Sequence, residues 1–517
     1  MKKITKTAIS IVLCLLLSLS VMLPCFAKEE KTAFIVVSGM NTVPLYCSDE
    51  RVFGPEASVI TSAVMKSLPS VMQFLVERDY DKLANGLLPA VRSMFEKLSC
   101  NPDGTSKYDI SCEKFFGRAA DFASTFENEE TDEFALVRSG MEAFGAENTY
   151  FYNYDWRLSP LDDAEELHDY IEMVKSKDNY DRIVLAAYSM GGTVVCSYLY
   201  KYGSSDIDTL ALCSTAFQGT TSVGTLFTGE FCFSMSGLMR RFAELARDNF
   251  WENFLNTFNK VLNASGINES IENIANDMSY KMLDKIYSEV ITPVFGYLPG
   301  LWALCDSERF ETAKENILDT TANAELIKMI DEYKYNVQDK AFELLKDAEK
   351  DTNVYVIAQY NRQGLPVSKA AATSNNDNLI DTEFESGGAV CSLLGQTLPD
   401  GYVQAVDCGH NHISYDKNID ASTCMFPEQT WFIRDMMHVD YPYGEAADFI
   451  IWLMQSENQL TIHSNARYPQ FMIYSYDNNT LSPLDETHTQ KTTVDTIFSV
   501  LNKIIDMLSS MIKFILK

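Results

Sequence analysis

A serine at position 189 stands between an aliphatic run and a glycine pair in "DRIVLAAYSMGGTVVCSYLY", Asp181 to Tyr200. A nucleophile elbow needs a strand that stops abruptly, a residue held at strained backbone angles, and a helix that starts at once, with small side chains two before and two after. Ala187 and Gly191 are those small residues, Ile183 to Ala186 lead in as a strand, and Thr193 to Tyr200 can continue as a helix. Serine is a poor nucleophile until a base takes its proton, so this chemistry also requires an imidazole and a carboxylate that orients it. The chain has six histidines. The expected order of Ser, then Asp or Glu, then His excludes His168, which precedes the serine. His463 and His488 lie in a polar stretch after the last strong helix, which leaves His410, His412 and His438. His438 is preferred, because it falls on a loop just before the amphipathic "YGEAADFIIWLMQS"; His410 and His412 stay open beside it. For the acid, Asp377 opens "DNLID" and is preferred over Asp381, which also suits a turn or helix cap. The oxyanion donors expected of such a site are the backbone N–H of Met190 and that of Met40, in the loop "VVSGMN".

Those residues need a sheet to carry them. "TAFIVVSGMN", "NTYFYNYDW", "DRIVLAAYS", "DTLALCSTA", "NVYVIAQYN" and "YVQAVDC" read as strands, several of them as apolar runs buried on both faces. Between the second and third lies "SPLDDAEELHDYIEMVKSK", a helix pattern with Ser159 as its cap, acidic residues first and lysines last. Strand, helix, strand implies a parallel sheet with helical crossovers, an α/β fold. Two stretches of helical periodicity, about 58–99 and 219–350, interrupt it and read as insertions that cap the sheet.

The first 27 residues carry Lys2, Lys3 and Lys6, an apolar core and Ala27 at a plausible cleavage point, the pattern of an export signal. The hydrolase domain is then expected at 28–460, a polar tail at 461–493, and an amphipathic helix at 494–517 whose wide apolar face and lysines suit docking or a membrane surface. Formal charge is −30, and about −33 once the three lysines of the signal are removed, which speaks against a nucleic-acid partner. Of twelve cysteines, ten lie beyond the signal; Cys100 and Cys112 are closest in sequence, and Cys196, Cys213 and Cys391 sit in apolar or small-residue settings that suit buried thiols. There is no CxxC and no Cys/His group read at zinc spacing, so no metal ligand and no cofactor is assigned.

"YDWRLSP" at Tyr154 to Pro160, "YSMGG" and "DNLID", taken in this order, resemble the lecithin:cholesterol acyltransferase and lysosomal phospholipase A family of α/β-hydrolases. The resemblance covers about Phe34 to Gln455, without the cap. It implies an α/β-hydrolase fold with a helical cap and a serine esterase acting on lipid acyl esters, with water or an alcohol as acceptor. Ser189, Asp377 and His438 match the family's triad positions, and Met40 and Met190 its oxyanion positions. This chain departs from the pattern at "SGMN", which is not proline- and glycine-rich, at "DNLID", which lacks the usual glycine and proline, and at the apparent insertion "HNHISYDKNIDASTCMFPEQTWF". The resulting expectation is an exported lipid esterase. Its rivals are a hydrolase of soluble esters or peptides and a non-catalytic surface protein of the same fold.

Overall fold

Runs of β-branched and aliphatic residues bounded by turn residues pair into one eight-stranded sheet. The strands are β1 (Thr32–Val37), β2 (Thr149–Tyr152), β3 (Arg182–Tyr188), β4 (Thr209–Cys213), β5 (Asn353–Tyr360), β6 (Thr430–Arg434), β7 (Phe471–Ser475) and β8 (Thr480–Pro483). Their spatial order is β8-β7-β6-β5-β4-β3-β1-β2, and only the β7·β8 pair is antiparallel. The computed structural model describes residues 31–53, 77–128, 132–232, 267–366, 368–438 and 444–485, with a few single positions between. The expected signal at 1–27 and the expected helix at 494–517 lie outside the described residues. No described helix is long and apolar enough to cross a membrane.

Alternation along each strand divides the core into two layers. Ile35, Val37, Leu185, Ala187, Leu210 and Leu212 pack against α2 (Pro160–Lys177) and α3 (Gly191–Tyr202). Phe34, Val36, Val184, Ala186, Ala211 and Cys213 face the opposite layer, built on α1 (Ala135–Phe144) and α4 (Glu445–Gln455). Both faces of β3 and β4 are therefore covered, and every residue of these two strands is buried. Ser159 caps α2 by accepting the Leu161 N–H at 3.2 Å, with Asp162 and Asp163 in the first turn and Lys175 and Lys177 in the last. The described residues of the connection from β4 to β5 are largely helical, from Thr221–Thr228 to Ala341–Ala348, and helix Tyr80–Phe95 occupies part of the earlier stretch.

Three expectations are corrected at the right-hand end of the sequence. Residues 461–493 are not merely a polar tail: β7 and β8 extend the sheet there, joined by a short turn. "YVQAVDC" forms no strand, and Val403 and Val406 are exposed. The strand that precedes His438 is instead "TWFIR", paired on both sides by β5 and β7. "TWFIR" is buried from Thr430 to Ile433 and has partners on both edges, and pairing decides.

The "YDWR" string has a structural explanation. Arg157 is fully buried; its Nε and Nη2 donate to Asp155 at 2.9 and 2.5 Å, Nη1 to the Leu98 carbonyl at 3.1 Å, and Nη2 to Ser106 Oγ at 2.9 Å. The guanidinium thus ties the loop after β2 to the chain around 98–106. Truncation would strand a carboxylate, a carbonyl and a hydroxyl together. Arg157→Ala is expected to lower unfolding stability by about 3 kcal/mol or more, measured by chemical denaturation. A loss below about 1 kcal/mol would mean the fork is not holding this loop.

Candidate active site

Ser189 follows β3 directly and precedes α3, with φ at +53°. A non-glycine residue in the left-handed region costs about 1–2 kcal/mol, so the surroundings must impose it. Its N–H donates to the Cys213 carbonyl at 3.2 Å, and its carbonyl accepts from Ala216 N–H at 3.0 Å and Gly192 N–H at 3.1 Å. The glycines after it are steric necessities. A Cβ on Gly191 would lie 2.8 Å from the Ser38 carbonyl oxygen, and one on Gly192 would lie 2.5 Å from Thr215 Cβ. On the other side a Cβ on Gly39 would lie 2.8 Å from Ser189 Cβ, so the loop carrying Met40 packs directly against the serine. Met190 takes the N-cap position of α3, at the positive end of the helix dipole.

His438 Nε2 lies 2.8 Å from Ser189 Oγ, and His438 Nδ1 lies 2.5 Å from Asp377 Oδ2. The imidazole is held by its own backbone: His438 N–H donates to the Asp377 carbonyl at 2.7 Å, and the Tyr188 hydroxyl donates to the His438 carbonyl at 2.9 Å. Asp377 is fully buried, and its Oδ1 accepts the Leu379 and Ile380 N–H groups at 2.9 and 2.8 Å. Burial pushes this carboxyl up, but the charge of His438 and the hydrogen bonds it accepts outweigh that, and its pKa ends below the ordinary aspartate value. Asn378, at φ +98°, completes the tight turn; its N–H donates to Asn376 Oδ1 at 2.8 Å and its side chain to the Gln363 carbonyl at 3.0 Å. Three separate connections of the chain thus converge with little freedom left in any of them.

The competing residues go elsewhere. Asp381 accepts the Thr221 N–H at 2.9 Å and so holds the start of helix Thr221–Thr228. His168 stacks on Tyr202 with ring centroids 4.1 Å apart. His410, His412 and His463 lie around Glu428, two residues before the amino end of β6, whereas Ser189 follows the carboxyl end of β3. Around Glu428 the fold gathers side chains that no zinc-type spacing marks in the sequence. Cys408, His410, His412 and Glu428 each bring one ligand atom within 4.8 Å of the others. The spacing Cys-x-His-x-His is not the paired CxxC pattern, and Glu428 arrives from another part of the chain.

One site residue had no sequence signal. Glu385, in the short helix Thr382–Glu385, is fully buried, and its carboxyl lies within 4.8 Å of both the Asp377 and His438 ligand atoms. Oε2 accepts the Gln359 N–H at 2.7 Å, while Oε1 has no donor. Burial first, and then the negative charge of Asp377, push its pKa well above the ordinary glutamate value. The folded chain thus favours the neutral form of Glu385 beside the Asp377 carboxylate. The linkage has a definite sign. The folded chain binds this proton more tightly than the unfolded chain, so the stability it contributes is full below pH 4.5 and declines as pH rises toward the folded value. Glu385→Gln keeps an acceptor for the Gln359 N–H and removes the titrating group. It is expected to gain on wild type by about 1.4 kcal/mol per unit of pKa displacement between pH 5 and pH 8, read by urea denaturation at both pH values. Parallel pH slopes in the two proteins would refute a neutral Glu385.

The ten described cysteines are all unpaired. Burial pushes the Cys196 thiol up to about 12, and Cys213 also sits well above the usual range; Cys391 is half-exposed by surface area. A cavity of about 320 Å³ opens between β2 and α2, lined by Phe115, Phe116, Phe151 and Tyr170 among others, but no triad residue borders it.

No protein-family model matches the chain, and no curated protein matches it. Among solved structures it is similar to one described as "The crystal structure of Tle4-Tli4 complex", with 9% identity and a TM-score of 0.31 over 92% of this chain and 99% of that chain. So slight a likeness carries no argument, and the reading of the site rests on its geometry.

Proposed function

We propose that the protein is an exported serine esterase of the α/β-hydrolase type, acting on lipid acyl esters and related to the lecithin:cholesterol acyltransferase and lysosomal phospholipase A family. The observation that carries this reading is the relay Ser189 Oγ, His438 Nε2, His438 Nδ1, Asp377 Oδ2, with separations of 2.8 and 2.5 Å, built on a serine at φ +53°. In this mechanism Oγ attacks the ester carbonyl as Nε2 takes its proton, and a tetrahedral oxyanion forms. The backbone N–H groups of Met190 and Met40 stabilise it, each donor being worth about 3 kcal/mol in comparable sites. The imidazolium then protonates the departing alcohol, leaving an acyl-serine. Water, or an alcohol in a transfer reaction, attacks that ester after losing its proton to Nε2, and the serine is restored. Asp377 keeps the Nδ1 proton in place throughout and stabilises the imidazolium. None of these steps calls for a metal.

The lipid substrate is supported by the family motifs and by the helices described within the connection between β4 and β5, from which a cap over the carboxyl ends of the strands can be built. The leader and the C-terminal amphipathic segment agree with a product that leaves the cytoplasm and works at a lipid surface. A fluorophosphonate probe should label the wild-type chain at Ser189 and leave Ser189→Ala unlabelled. With p-nitrophenyl esters, turnover should rise from short to long acyl chains. Labelling with a preference for acetate esters would keep the esterase and remove the lipid; no labelling of folded wild type would remove both.

A further inference from the structure

Among the described residues, the largest gathering of metal-type ligands outside the active site is at the amino ends of β6 and β7. The segment 404–412 is pinned there by Gln404, whose Oε1 accepts the His412 N–H at 2.7 Å while its Nε2 donates to the Val406 and His410 carbonyls at 2.7 and 3.0 Å. This presents Cys408, His410 and His412 toward Glu428, whose Oε1 is 2.8 Å from His410 Nδ1 and 3.4 Å from His412 Nε2. His463 Nε2 approaches the other oxygen of Glu428 at 3.1 Å.

His412 makes this more than a collection of residues. Its side chain is fully buried, and Nε2 has no hydrogen-bond partner. The tautomer follows from its neighbour. Gln470 Nε2 donates to the Pro427 and Thr430 carbonyls at 2.7 and 3.3 Å, which fixes the amide so that Gln470 Oε1 must accept from His412 Nδ1 at 2.7 Å. A neutral His412 therefore carries its proton on Nδ1 and leaves a bare lone pair on Nε2, 3.4 Å from a Glu428 carboxylate oxygen. Two acceptors this close, one of them on a fully buried ring, are stabilised by a cation placed between them. A ring nitrogen fixed by an outer amide or carbonyl acceptor is also the usual preparation of a metal-binding histidine.

We propose that Cys408, His410, His412 and Glu428 bind one divalent ion of the zinc class, which fastens the segment 390–424 to the amino ends of β6 and β7. Ligand bonds of about 2.0–2.3 Å give a tetrahedron with edges of about 3.3–3.8 Å, so ligand atoms already within 4.8 Å need only a small contraction. A set of one sulfur, two imidazole nitrogens and one carboxylate oxygen selects zinc over magnesium or calcium, which take oxygen donors. Four protein ligands close the coordination sphere, and none of them belongs to the Ser189–His438–Asp377 relay. Its role is structural. On binding, the Cys408 thiol gives up its proton to solvent and coordinates as the thiolate, while both imidazoles coordinate as neutral rings.

The test uses the full chain, stripped with a chelator, desalted, and mixed with an equal amount of Zn²⁺. Wild type should retain about one zinc per chain by elemental analysis, unfold at a higher temperature than the stripped form, and show thiolate-to-metal charge-transfer absorption when Co²⁺ replaces zinc. The double variant Cys408→Ser, His410→Ala alters two exposed side chains. It should keep the wild-type circular dichroism of the stripped protein, bind zinc about 100-fold more weakly or worse, and show neither the thermal shift nor the cobalt band. His412→Ala should also lose zinc; if it fails to fold, the double variant still decides. Folded wild type that retains no more zinc than the double variant overturns the proposal, and a His412 ring found charged by NMR in that metal-free protein would identify the cation as a proton.

Discussion

Replacing Ser189 by alanine is expected to lower kcat/KM for a p-nitrophenyl ester by about 10⁴-fold or more, leaving the residual rate that oxyanion donors and substrate binding can sustain without a nucleophile. The size of the effect follows from the position. In the proposed mechanism Oγ is the only atom of the relay that forms a bond to carbon, and His438 Nε2, 2.8 Å away, takes its proton in the first step. His438→Ala should therefore cost about as much as Ser189→Ala, and the double variant little more than either, because the groups act as one unit. Stability supplies a second reading. Alanine inherits the strained φ of +53° and should unfold much as wild type does, whereas Ser189→Gly should be more stable by about 1 kcal/mol and equally inactive. An alanine variant that kept a tenth of wild-type turnover would place the chemistry at another residue.

How much of this site is legible without coordinates depends on how local its determinants are. The elbow is local: strand, strained serine and helix occupy one continuous stretch, and the glycines that admit Ser38 and Thr215 stand in sequence where the sheet demands them. Asp377 and His438 were reachable by order and by their place after strand-like or before helix-like segments. The strand ahead of His438 was not identified, since "TWFIR" gains its identity from β5 and β7 on either side, which no window of sequence contains. For the same reason β7 and β8 were hidden in a stretch whose composition reads as polar. Glu385 lay furthest from view. Its importance arises from a carboxyl group buried beside another carboxyl group, and an acidic residue in "DTEFES" is indistinguishable from a solvated one until the fold is closed. Cys408, His410 and His412 were visible as letters, but the fourth ligand and the amide that sets the His412 tautomer come from the two strand entries far along the chain.

Asp377→Asn is expected to reduce kcat by about 10⁴-fold while leaving the fold intact. Both backbone donors of the turn, Leu379 and Ile380, bond to Oδ1, so an asparagine oxygen in that position retains them. The amide nitrogen then replaces Oδ2 and offers a donor to His438 Nδ1 where the carboxylate offered an acceptor. The imidazole must answer by accepting at Nδ1 and carrying its proton on Nε2, and in that tautomer it has no lone pair for the Ser189 hydroxyl. Loss of the negative charge also removes the stabilisation of the imidazolium that forms as the serine attacks. Asp381→Asn provides the contrast four residues away. Burial already raises the Asp381 pKa, and its recorded work is to accept the Thr221 N–H, which an amide oxygen can do equally well. That variant should stay within about tenfold of wild-type turnover, a range too small for loss of a triad member. Equal damage from the two substitutions, in proteins with matching thermal midpoints, would show that the carboxylate on Nδ1 is not what orients the base.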